Sequence, residues 1–228
     1  WFEDIDYGLI SYAHPLRRFV LGAYVSHLTY GKIQGYDVDG VPTAGKLEPA
    51  DLSLGASFSK NLFVKEESAL YAGSTLKFIR EDLAVKKADA WALDLGLLYR
   101  TPLRPLDLGA VFQNMGIGSK YVAKRESLPF NFRLGSAARF LNEALTVALD
   151  YCLPRHYPSY LNFGAEYRLS DLLALRAGYQ SKNDLGDGLR FGFGLGDKNF
   201  VFDYAYVFYG ALKETHRFGA GLRFGKEH

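Results

Sequence analysis

This chain alternates along nearly its whole length. Side chains on a strand point to opposite faces at each step, so a period of two marks strands rather than helices. In Lys87–Arg100 the odd positions Trp91, Leu93, Leu95, Leu97 and Tyr99 form an apolar stripe with an aromatic at each end. The even positions Ala90, Ala92, Asp94, Gly96, Leu98 and Arg100 are mostly small or charged. The same pattern recurs downstream. Leu161, Phe163, Ala165 and Tyr167 oppose Asn162, Gly164, Glu166 and Arg168. Leu173, Leu175, Ala177 and Tyr179 oppose Arg176, Gly178 and Gln180. Leu189, Phe191, Phe193 and Leu195 oppose Arg190 and three glycines. Phe202, Tyr204, Tyr206 and Phe208 oppose Asp203 and Ala205, and His216 to Phe224 oppose Arg217, Gly219, Gly221 and Arg223. Segments near Leu52, Leu70, Leu106, Phe130 and Leu145 read alike, and those near Ile5 and Phe19 alternate less cleanly.

Strands of roughly ten residues are what a tilted strand needs to cross a bilayer. A soluble β-sandwich has strands of about 5–6 residues and hides both apolar faces against each other. Here Arg and Glu stand mid-strand between glycines, opposite an aromatic-bounded apolar stripe. That is the arrangement of a transmembrane barrel, with lipid outside and a polar interior. Composition agrees. The 228 residues include 16 Tyr, 17 Phe and 24 Gly, yet the mean hydropathy is only −0.09, because the two faces cancel. No apolar run is long enough for a membrane-crossing helix. A net charge of +2 argues against nucleic acid as a partner, and a single cysteine, Cys152, rules out a disulfide framework.

The joins alternate between short and long. His14-Pro15-Leu16, the join near Lys60, Thr101–Pro105, Leu141–Glu143, Ser170-Asp171 and Asp197-Lys198 are the shorter ones. Lys32–Leu47, Glu81–Lys86, Asn114–Leu128, Leu153–Ser159, Ser181–Asp187 and Gly210–Glu214 are the longer ones. Outer-membrane barrels have short periplasmic turns and longer extracellular loops. The first strand therefore descends, and so does the last. We count about 13 strands in one domain, residues 1–228, with an earlier strand expected upstream of Trp1 to reach the even total of about 14.

The candidate chemistry is sparse. Gly192-x-Gly194-x-Gly196 is followed by a short turn and another strand, not by the helix N-terminus a phosphate site needs. These glycines read instead as room for a plug, a loop or a bent strand. None of His14, His27, His156, His216 and His228 stands at metal-ligand spacing. No nucleophile–base motif is visible, so we expect no catalytic residue, no metal and no cofactor, and a protein that is not an enzyme. Asp150, Glu166, Arg168, Arg176, Arg190, Asp203, Arg217 and Arg223 fall on the face expected to line the lumen. They read as a self-neutralising network, or as a lining selective for anions. Trp91, Tyr99, Tyr167, Tyr179, Tyr204, Tyr206 and Phe224 are the expected lipid-facing girdle.

With the strands placed, the sequence resembles the PorV/PorQ family, relatives of the FadL-type outer-membrane barrels. The stretches that carry the resemblance are ISYAHPL (Ile10–Leu16), DLGLLYR (Asp94–Arg100), LGAVFQNMG (Leu108–Gly116), SLPFNFRLG (Ser127–Gly135), LNFGAEYRLS (Leu161–Ser170), LRAGYQS (Leu175–Ser181), FGFGLG with FDYAY, and the closing HRFGAGLRFG. The resemblance implies a fourteen-strand barrel in the bacterial outer membrane, in contact with outer-membrane lipid. It implies an interaction or export component of type IX-like secretion, whose partners would be secreted cargo proteins or secretion-machinery subunits. The alternatives are a FadL-like transporter of hydrophobic small molecules and a structural membrane protein with an occluded lumen.

Overall fold

The computed structural model describes residues 5–36, 39–82, 87–103, 105–118, 120–121, 124–125, 127–182, 187–209 and 214–225. Among them the chain is all β. The strands are β1 (Asp6–Pro15), β2 (Phe19–Thr29), β3 (Ile33–Tyr36), β4 (Pro42–Leu47), β5 (Ala50–Val64), β6 (Ala69–Asp82), β7 (Lys87–Arg100), β8 (Leu106–Ile117), β9 (Lys120–Tyr121), β10 (Lys124–Arg125), β11 (Asn131–Phe140), β12 (Leu145–Pro154), β13 (Tyr160–Arg168), β14 (Leu173–Gln180), β15 (Leu189–Gly196), β16 (Phe200–Phe208) and β17 (Glu214–Leu222). Thirteen of them form one sheet in the order β1-β2-β5-β6-β7-β8-β11-β12-β13-β14-β15-β16-β17. Each neighbour is antiparallel to the next. This is the up-and-down meander that the alternation predicts.

The two longest joins carry small hairpins of their own, β3 with β4 and β9 with β10. Two strands, β5 and β6, are longer than the sequence suggests, and β7 has the bounds read from it. β5 spans 15 residues, and β6 and β7 span 14 each. The turn expected near Lys60 begins five residues later, at Lys65. There Lys65 N–H donates to Ser68 O (2.7 Å) and Ser68 N–H returns to Lys65 O (3.3 Å). β17 stops at Leu222, so Arg223 and Phe224 follow the strand rather than ending it. Most of the joins at 83–86, 183–186 and 210–213 lies outside the described residues, as does His228.

The register sorts side chains onto two faces. Leu145, Tyr167, Leu175, Phe193, Tyr204 and Phe218 are successive cross-strand partners on one face of β12–β17. Their rings meet: Phe193 lies 5.3 Å from Tyr204, and Tyr204 5.3 Å from Phe218. The next positions along, Thr146, Glu166, Arg176, Gly192, Ala205 and Arg217, share the other face. The apolar face is uncovered. Phe191 is 49% exposed, Trp91 57% and Phe218 72%, an area of apolar side chains that a soluble monomer does not display.

One irregularity shifts the pattern. On β7–β8, Leu93 faces Met115 but Leu95 faces Phe112, so Gln113 and Asn114 together oppose Asp94. Asn114 takes a left-handed backbone, with φ of 57°, as the extra residue of a bulge can. Before the bulge the odd residues of β8 share the polar face; after it the even ones do. Gly116 then lies so close to β7 that an added Cβ would collide with Trp91 O. Beyond the bulge the chain turns back over the polar face. Leu128 packs on Ala90 and Ala92, with Ile79 alongside, as a small buried cluster.

Candidate functional site

The polar face carries two kinds of surroundings. Over β13–β16 it holds a charge network. Arg176 donates from Nε to Glu166 Oε2 (2.7 Å) and from Nη1 to Asp203 Oδ1 (2.5 Å), while Arg168 Nε lies 3.4 Å from Glu166 Oε1. Glu166 and Arg176 are direct cross-strand partners. Asp203 is two strands away from Arg176, with β15 between them. Arg176 reaches it because position 194 is glycine: an added Cβ there would sit 2.9 Å from Asp203 Oδ1 and 3.0 Å from Arg176 Nη2. Gly192 and Gly196 are crowded by backbone instead, with carbonyl oxygens of Tyr204 and Phe200 at 2.5 and 2.6 Å from an added Cβ. The FGFGLG glycines thus make room for the wall's own ion pair and for close backbone approach, in keeping with the bent-strand alternative.

The remaining predicted charges are dispersed. Arg190 donates to Gln180, Arg217 lies 3.2 Å from the Tyr209 hydroxyl, and Asp150 is 3.7 Å from Arg133. Arg223 contributes its backbone N–H to Asn199 O (2.7 Å). Of the eight, the fold gathers Glu166, Arg168, Arg176 and Asp203. The aromatic residues read as a girdle fall on the apolar face by register. Trp91 partners Phe78, Tyr99 partners Leu108, and Tyr179 partners Phe163. Tyr204 lies at the middle of β16, and Phe224 beyond β17 stacks on Tyr12 of β1 at 5.9 Å.

Over β5–β12 the same face holds open space. A cavity of about 610 Å³ is lined by Tyr71, Gly73, Gly96, Leu98, Arg100, Gly109, Val111, Arg133, Gly135 and Asp150, among others. Two adjacent rows of cross-strand partners build it. One runs Ser59, Gly73, Gly96, Val111, Arg133, Cys152, and the other Tyr71, Leu98, Gly109, Gly135, Asp150. Glycine in a strand interior weakens the strand and marks a bend or a close approach. At Gly73, Gly96 and Gly109, however, an added Cβ would meet nothing nearer than 3.6 Å. The wall itself does not need glycine there, and the missing side chains are the cavity.

Towards the longer loops a polar layer bounds the cavity. Lys77 is 8% exposed and pairs with Asp94 Oδ1 at 2.7 Å. Its ammonium also donates to Asn114 Oδ1, Asn114 N–H donates to Asp94 Oδ1, and Asn114 Nδ2 donates to Pro129 O at 3.0 Å. The bulge thereby ties the incoming loop to a buried ion pair. Towards the short turns a second cavity of about 500 Å³ shares Tyr71 and Arg100 with the first. Sequence reading missed Tyr71, Lys77, Asn114 and Arg133. The signal for Arg133 was present, as an arginine beside leucine and glycine in NFRLG, the pattern that flagged Arg176 and Arg190. Among the described residues no cluster of three or more His, Cys, Asp or Glu is placed to hold a metal.

No protein-family model matches the sequence, and no curated protein matches it significantly. Solved structures do match. The toluene transporter TodX of Pseudomonas putida superposes with a TM-score of 0.60 at 15% identity, covering 93% of this chain and 83% of that one. The toluene transporter TbuX of Ralstonia pickettii gives 0.58 at 17% identity, covering 93% and 78%. A Pseudomonas aeruginosa FadL homologue gives 0.52 at 13% identity, covering 88% and 68%. The PorV/PorQ resemblance is not represented among these neighbours. The alternation, the meander and the superpositions agree on one fold: this chain folds like the FadL-type β-barrels.

Proposed function

We propose that the chain carries hydrophobic small molecules across the bacterial outer membrane, with the polar face as its lumen and the apolar face against lipid. The observation that carries this reading is the cavity floored by Gly73, Gly96 and Gly109, glycines that the wall itself does not require. A volume of about 610 Å³ lies within the range of small-molecule sites, roughly 300–1,000 Å³, and such sites are mostly apolar with a few placed polar groups. The orientation follows from cost. An arginine facing lipid at the bilayer midplane is unfavourable by about 2–4 kcal/mol, whereas Arg176 in the lumen has Glu166 and Asp203. The structural neighbours that are transporters of toluene support this reading. The export role, with secreted cargo or secretion-machinery subunits as partners, rests on the PorV/PorQ resemblance alone. An occluded, purely structural barrel would have no use for a kept-open floor.

The test is uptake of labelled toluene by cells expressing the protein, compared with the double variant Gly96→Leu, Gly109→Leu. Both leucines extend into open space, so the barrel assembles while the cavity fills. Uptake in the variant falls to the level of cells without the protein. Equal uptake at equal surface abundance rejects the cavity as part of the route.

A further inference from the structure

We infer that Arg100 is the specificity-determining residue of the inner cavity, and that the preferred solute is an amphiphile with a compact apolar body and one anionic group. This rests on the cavity being the solute site proposed above. The cations on the polar face differ in how they are satisfied. Lys77 has Asp94, Arg139 has Asp107 at 2.5 Å, and Arg176 has two carboxylates. Arg100 has none among the described residues. Its cross-strand partner is Asp107, but that carboxylate is engaged from the opposite side by Arg139. What Arg100 has is an aromatic face, with its guanidinium carbon 5.5 Å from the centre of the Tyr71 ring. Such a contact leaves the in-plane N–H donors free for an acceptor.

Arg133, the other guanidinium in the lining, is also incompletely satisfied. Its nearest carboxylate oxygen, on Asp150, is 3.7 Å away, beyond the roughly 2.7–2.9 Å of a charge-assisted hydrogen bond. Its Nε is buried and has no hydrogen-bond partner among the described residues. The first cavity therefore holds two guanidiniums against one carboxylate, around a floor of glycine, leucine and valine. A neutral hydrocarbon would fill the floor and leave both arginines as they are. A carboxylate on the same body would give Arg100 the partner that Asp107 does not. Beyond Arg100 the second cavity carries Glu66, Glu67, Asp107 and Glu143 against Lys65 and Arg139. That balance disfavours an anion and fixes its resting place at Arg100.

The experiment compares two probes of nearly equal size, labelled benzoate and labelled toluene. Equilibrium binding is measured to the purified full chain in lipid nanodiscs, with empty nanodiscs subtracted. Benzoate binds about tenfold or more tighter than toluene, the scale of one charge-assisted hydrogen bond. The preference weakens with added salt. Arg100→Gln removes most of it, Arg100→Lys restores part of it, and toluene binding is unchanged in both, which also reports that the variants are folded. Equal binding of both probes, abolished by Gly96→Leu with Gly109→Leu, overturns the role of Arg100 and leaves the transport reading standing. A benzoate preference that survives Arg100→Gln overturns the assignment to this residue. Binding of neither probe overturns both readings.

Discussion

Glycine serves opposite ends at two places in this wall, at Gly194 in β15 and at Gly73, Gly96 and Gly109 in β6–β8. At Gly194 the absent side chain is replaced by the protein's own atoms, with Arg176 and Asp203 about 3 Å from where a Cβ would stand. At Gly73, Gly96 and Gly109 an added Cβ would meet its neighbours only at ordinary contact distance, 3.6 Å or more. Glycine placed opposite an apolar stripe therefore announces that room is needed on the polar face. It does not say who uses the room. Around Gly194 the wall's own ion pair takes the room, and around Gly73, Gly96 and Gly109 the room belongs to the cavity.

The largest expected effect tests how deeply charge is buried near each place. Lys77 is nearly enclosed, whereas the side chains of Arg176 and Asp203 are each 41% exposed. Asp94→Leu strands the Lys77 ammonium and lowers unfolding stability by about 3–5 kcal/mol, as breaking a buried pair does. Asp203→Leu, where solvent screens the loss, costs about 0–1 kcal/mol. Urea unfolding of vesicle-reconstituted protein reads both, and equal losses would erase the distinction.

Next in size is the contrast between glycines. Gly194→Leu forces apart Arg176 and Asp203 and costs about 1–3 kcal/mol through overpacking. Gly96→Leu enters open space and leaves stability within about 0.5–1 kcal/mol of the parent, in the stabilising direction, because strand glycine is entropically costly. The same unfolding curves decide this, and a Gly96→Leu loss as large as that of Gly194→Leu would mean the cavity is packed.

The smallest effect concerns the turn between β15 and β16. The Asp197 carboxylate accepts the N–H groups of Asn199 (2.8 Å) and Phe200 (2.9 Å). The bonds from Phe200 and then Asn199 hold it below the usual carboxylate range. A lowered folded-state value means the turn's stabilisation is complete above the unfolded value of about 4 and is lost as pH falls through the folded one. The gap in urea midpoint between the parent and Asp197→Ala is therefore present at pH 7 and closes in acid. A gap that stays constant down to pH 2 removes this carboxylate from the account.

Much of this architecture was legible because alternation needs only the sequence. β7 reads cleanly, since no bulge interrupts Trp91 to Tyr99. β8 does not, because the left-handed Asn114 inserts a residue and exchanges odd for even midway. The short strands β3, β4, β9 and β10 have too few residues to show a period. Within the site, the Glu166–Arg176 pair was readable because direct cross-strand partners require only register. The Arg176–Asp203 pair was harder, since it crosses a strand by way of an absence at Gly194. The cavity was not readable. It arises where glycines on β6, β7 and β8 fall next to one another, and that coincidence is set by register rather than by any single segment.

An odd count of antiparallel strands returns to its starting direction. β1 and β17, the two edges of the sheet, therefore run the same way, and an antiparallel ladder between them is ruled out by direction alone. What meets between them among the described residues is aromatic, the stack of Tyr12 on Phe224. Ring stacking holds side chains but protects no amide. In deuterated solvent, alternate backbone amides along the outer sides of β1 and β17 exchange early when residues 1–228 stand alone, and a further strand seated between the two edges slows them. Those of β5 and β6, paired from Ala50 with Asp82 to Val64 with Ala69, exchange last. The wall thus has a slow side and a fast side, and the order in which its amides take up deuterium follows from the parity of its strands.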